Sequence, residues 1–128
     1  MSVLVKAMLI ASGGALGSLL RWGVGEAALR AGWGAPAGTL AANLAGCLLI
    51  GAAKAAVDTA GWGSPELRVF VFTGLLGAFT TFSTFEAETF GLWHIGQRPA
   101  AVAYLVGSVL GGLVCFLAGW LLVQRLAQ

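Results

Sequence analysis

The stretch Gly74-Leu-Leu-Gly77-Ala-Phe79-Thr80-Thr81-Phe82-Ser83-Thr84-Phe85-Glu86 decides how this chain is read. It falls inside a run from Val69 to Phe85 that carries no charge and is closed by Glu86 and Glu88. Two glycines (Gly74 and Gly77) and four hydroxyls (Thr80, Thr81, Ser83 and Thr84) interrupt an otherwise greasy segment. Glycine is poor in a helix interior, and Ser and Thr compete for backbone hydrogen bonds. The block therefore predicts an unwound turn. At membrane depth, non-helical backbone persists only where it is buried in protein or lines a cavity. Freed carbonyls there suit a cation; freed N–H groups and hydroxyls suit an anion. Phe82 and Phe85, three apart, share a helical face. An aromatic ring is positive at its edge, so ring edges can face an anion.

The rest of the chain makes the membrane setting explicit. Of 128 residues, 59% are hydrophobic and 9% charged, with seven Lys/Arg against five Asp/Glu. Mean hydropathy is +0.91. A soluble domain carries about 25% charged residues, and a short chain cannot hide this much apolar surface from water. The composition argues against a soluble enzyme, a nucleic-acid binder and a disordered chain. The few basic residues are scattered, with no stripe for phosphates to follow. Cys47 and Cys115 sit in apolar runs and read as small core residues rather than a disulfide or zinc site. There is no P-loop, metal-ligand cluster or Ser/His/Asp constellation.

Charge-free runs divide the chain into four. With their flanking residues, these runs supply the roughly 20 predominantly apolar residues of a spanning helix. They predict an all-α membrane protein, one domain over 1–128, with transmembrane helices near 3–30, 37–58, 66–94 and 99–125 and a break in the third. Short loops with Gly and Pro join them, and Trp33, Trp62 and Trp93 mark the interfaces. The first segment carries internal charges and does not read as a cleavable signal peptide. Four spans put Lys6, Lys54, Arg68 and Arg125 on one face. Arg30 and Arg98 lie on the other, with Arg21 nearer to them. Positive charge sets orientation, and this distribution is nearly balanced. Insertion both ways, with two opposed copies pairing, is the reading that balance favours over a single orientation.

Two further polar features stand out, because such groups in lipid need partners. Asn43 lies mid-helix with Thr39 one turn earlier; Tyr104 and Ser108 form a narrow stripe on the fourth helix. Each reads equally as helix–helix glue or as part of a pathway.

Gly77-Ala-Phe-Thr-Thr-Phe-Ser-Thr-Phe85-Glu resembles the signature of the Fluc/CrcB family of fluoride channels. Gly13-Gly-Ala-Leu-Gly17-Ser-Leu-Leu-Arg21 is similar to that family's first-helix motif, and Gly38-Thr-Leu-Ala-Ala-Asn43-Leu-Ala-Gly46 to its second. The fourth helix matches through Tyr104 and Ser108, while Gly112 offers no hydroxyl where the family's polar track continues. The resemblance implies a passive channel exporting cytoplasmic fluoride across the bacterial inner membrane. It implies a dual-topology antiparallel homodimer with two pores and a structural sodium ion at its centre. The sodium would rest on the backbone carbonyls of Gly77 and Thr80. Phe82, Phe85 and Asn43 would line the pore, with Ser83 or Thr84, Tyr104 and Ser108 as polar-track donors. Glu88 and Thr39 would lie toward a vestibule, and Arg21 toward the other end. A small dual-topology, proton-coupled multidrug exporter is the rival. It needs a membrane-embedded carboxylate, and Glu26, Glu86 and Glu88 are poorly placed for that role, near a helix end or after the polar block.

Overall fold

The structure, a computed structural model, describes residues 1–127. Helix α1 runs Val3–Arg30 and α2 runs Ala35–Ala60. The third span comprises α3 (Pro65–Arg68), a π-helical segment Val69–Leu76, α4 (Gly77–Phe79) and α5 (Phe82–His94). Helix α6 is Arg98–Leu126. Four helical spans are long and apolar enough to cross a membrane: Val3–Arg30, Ala35–Ala60, Pro65–His94 and Arg98–Leu126. Ser2 caps α1 and Ser64 caps α3, each accepting a backbone N–H of the first turn. Pro begins α3 and sits in the first turn of α2 and α6, where its missing N–H costs nothing.

The third span is interrupted at two residues. Thr80 (φ −88°, ψ 157°) and Thr81 (φ −148°, ψ 125°) are extended. The Thr81 hydroxyl then caps α5 by accepting the Thr84 N–H at 3.3 Å. The span thus stops and restarts within the polar block, and a threonine hydroxyl makes the restart.

Packing is chiefly α2 on α6 and α1 on the π segment. Small residues make this closeness possible, since lipid supplies no hydrophobic drive between helices. At Gly17, an added Cβ would lie 2.1 Å from the Leu75 carbonyl oxygen. Any side chain there pushes α1 off the π segment. No large side chain among the described residues is completely buried, and Leu, Val, Phe and Trp side chains are exposed along every span. A single copy leaves this apolar surface uncovered by protein.

Candidate functional site

Asn43 of α2 faces the interruption. Its side-chain oxygen accepts the Thr81 N–H at 2.8 Å, and its Nδ2 donates to the Thr81 carbonyl at 3.0 Å. In a continuous helix that N–H would go to the Gly77 carbonyl. Asn43 takes it instead, so the interruption needs no water to satisfy Thr81. The Ala78 carbonyl accepts from Arg21 Nε at 3.2 Å, and the Thr80 hydroxyl donates back to the Leu76 carbonyl at 3.0 Å. The Gly77 carbonyl is thereby deprived of its Thr81 donor, and among the described residues no backbone N–H reaches the Thr80 carbonyl. Close approach of α2 depends on Gly46, where a Cβ would fall 2.2 Å from the Thr80 methyl.

Two cavities flank this region. The larger, of about 500 Å³, is lined by Asn43, Thr80, Thr81, Phe82, Phe85 and Ser108 among others. Ser108 Oγ is sealed from the surface and has no hydrogen-bond partner among the described residues. A buried hydroxyl without a partner is costly. The smaller cavity, of about 270 Å³, includes Arg21, Glu26, Thr39 and Glu88 in its wall. The Glu88 carboxylate accepts from the Thr39 hydroxyl at 2.9 Å and from the Tyr104 hydroxyl at 2.6 Å. In this arrangement the single Tyr104 proton points to Glu88.

An aromatic relay joins the two spaces. Phe85 is 4% exposed, and its ring meets Tyr104 edge-on at 5.3 Å between centroids. Phe82 is 72% exposed and lies 5.8 Å from Phe85 at 55°. From the smaller cavity inward, the order is Glu88, Tyr104, Phe85, then the space beside Asn43 and Ser108.

Most of the residues singled out in the sequence converge here. The placement of Arg21 is a correction: rather than standing at the opposite end from Thr39 and Glu88, it shares one cavity wall with them. Ser83 is exposed and borders neither cavity. Thr84 accepts from the Thr81 hydroxyl at 3.0 Å and also borders neither. Cys47, read as a core residue, borders the larger cavity. Its spacing of one helical turn from Asn43 was the signal for that face. The cysteines are unpaired, and no group of three or more metal-ligating side chains occurs among the described residues.

Four spanning helices, an interrupted third span and a cavity with both aromatic and hydrogen-bonding walls define a multi-pass membrane protein built around a small-solute path. The chain belongs to the CrcB family: the family model described as CrcB-like protein, Camphor Resistance, matches residues 8–120. A protein of Methylobacillus flagellatus named fluoride-specific ion channel is 42% identical over 125 residues, covering 96% of this chain and 98% of that one. A Paracoccus denitrificans protein of the same name is 46% identical over 110 residues (86% and 87% covered). One from Chloroflexus aurantiacus, again so named, is 47% identical over 111 residues (86% and 88%).

Proposed function

We propose that this protein is a passive, fluoride-selective channel of the bacterial inner membrane that drains fluoride from the cytoplasm. The observation that carries the reading is the larger cavity. It sets Asn43, Ser108, Phe82 and Phe85 around one space, in a chain whose relatives bear the name of fluoride-specific channels. Fluoride is small, strongly hydrated and accepts short hydrogen bonds. A path that strips its water must return donors, and the second Nδ2 proton of Asn43 and the Ser108 hydroxyl are neutral donors of that kind. Neutral groups hold the ion weakly enough for it to leave, and lining groups and width set selectivity.

The working unit is an antiparallel homodimer with two pores, a reading supported by the near-balanced basic residues and by the exposure of Phe82. A sodium ion at the two-fold axis suits the Gly77 and Thr80 carbonyls, which are hard oxygen donors without their helical partners. Its charge would steady both copies and ease the approach of an anion. Purified protein in liposomes should release fluoride rapidly down its gradient while retaining chloride. Comparable release of both halides overturns the reading. Proton-coupled uptake of a cationic drug without fluoride release would favour the exporter instead.

A further inference from the structure

The smaller cavity is walled by one guanidinium, Arg21, and by two carboxylates, Glu26 and Glu88. The wall therefore carries one negative charge in excess, in a chain read as conducting an anion. The three charges are not compensated alike. Glu88 accepts from two hydroxyls, Thr39 at 2.9 Å and Tyr104 at 2.6 Å, which spread its charge. Arg21 donates its Nε proton to the Ala78 carbonyl at 3.2 Å and, among the described residues, forms an ion pair with neither carboxylate. Glu26 pairs only with Arg30, at 4.0 Å, and that arginine side chain is 83% exposed and outside the cavity wall. So long and so exposed a contact neutralises little. Helix α1 ends at Arg30. Glu26 lies one turn inside that end, and Arg21 five residues, or about 7.5 Å, deeper along the same helix. An anion entering from the α1 end passes Glu26 before it meets Arg21.

We infer that Glu26 is a conduction-determining residue: its carboxylate, at the mouth of the smaller cavity, opposes fluoride entry and sets how conduction depends on ionic strength. This rests on the fluoride-channel reading. Glu26 builds no binding site for the ion and acts through space on its approach. Repulsion between two unit charges about 8 Å apart slows an approach about twofold in a water-like medium, and about 30-fold where the effective dielectric falls to about 20. Glu26 is 38% exposed, which places it nearer the watery limit. The effect is also screened: the Debye length is about 30 Å at 0.01 M salt and about 3 Å at 1 M. Arg21, farther in, attracts the same anion, and Glu26 subtracts from that attraction. Removing the Glu26 charge should therefore raise conduction, the reverse of what a structural lesion does.

The initial rate of fluoride efflux from liposomes tests this, at ionic strengths of about 0.01 M and about 1 M set with sodium chloride on both sides. Each variant is first shown to elute like the wild type on size exclusion. Glu26→Gln should raise the rate about threefold at the low ionic strength and leave it unchanged at the high one. Glu26→Lys should raise it further, again only at low salt. Glu66→Gln, which removes a carboxylate of α3 that borders neither cavity, should change nothing. A Glu26→Gln rate equal to or below the wild type's at low salt overturns the inference while leaving the channel reading intact. A gain that persists undiminished at high salt also overturns it, because the side chain would then act by shape rather than charge. An equal gain from Glu66→Gln does the same, since the effect would belong to overall charge and not to this cavity. A wild-type protein that releases no fluoride removes both readings together.

Discussion

Asn43 and Thr81 hold each other at both ends of one peptide unit, the side-chain amide accepting at 2.8 Å and donating at 3.0 Å. This pairing ties α2 to the interruption in the third span. It also decides where hydrogen bonds go: by capturing the Thr81 N–H, Asn43 releases the Gly77 carbonyl.

Asn43→Asp should be damaging on two counts. A carboxylate would face the Thr81 carbonyl with no proton to offer it, and it would repel an anion in the cavity. Loss of one buried hydrogen bond with an acceptor left facing another predicts a stability decrease of about 1–3 kcal/mol. Thermal melting in detergent measures this, and fluoride efflux should fall at least in step with it. Asn43→Ala would let Thr81 donate to Gly77 again, so this variant should also lose any dependence of its stability on sodium. A sodium dependence equal to the wild type's would show that the two sites are independent.

The two phenylalanines should separate stability from transport. Phe85 is buried against Tyr104, so Phe85→Ile changes shape within a packed site, a loss of up to about 1.5 kcal/mol. Phe82 is mostly exposed in the single chain, and Phe82→Ile should leave its melting nearly untouched. Both should reduce fluoride efflux, since both remove an aromatic edge while keeping bulk. Normal conduction by both variants would leave the rings no role beyond packing.

Tyr104→Phe keeps the ring that Phe85 packs against and deletes only the hydroxyl bonded to Glu88. A hydrogen bond to a charged carboxylate is worth about 1.5–3 kcal/mol. Combined with Glu88→Gln, the effects on melting should be markedly non-additive, because the two side chains share that bond. Strict additivity would mean they act separately.

Dual insertion can be read from one position. With both native cysteines changed to serine, a single reporter at Gln124→Cys near the end of α6 should react with an impermeant thiol reagent on both faces of the membrane. Reaction from one side alone would assign every copy the same orientation.

The four spans were legible because charge-free runs and Gly/Pro loops are local signals, and the third was flagged by Thr80, Thr81, Ser83 and Thr84 among apolar neighbours. The partner of Asn43 was not, since Thr81 lies 38 residues away and only packing brings it there. For the same reason the sequence alone sets Arg21 apart from Thr39 and Glu88: a position along one helix does not fix its depth beside another. Cys47 reads as core because a thiol among Leu and Ala carries no polarity signal of its own. The π segment was invisible as well, for Val69–Leu76 is nearly all apolar, and apolar residues on every side leave no period to read.

That π segment bears on which changes of chain length the protein tolerates. Deleting one residue from a regular α-helix turns everything beyond it by about 100°. Within α2, such a deletion would swing Asn43 away from Thr81. The wide turns of Val69–Leu76 instead hold slack. Losing a residue there can tighten the winding toward α while Phe82 and Phe85 keep their heading. Single-residue insertions and deletions among functional relatives should therefore collect in this segment and in the loops, and be purged from α2.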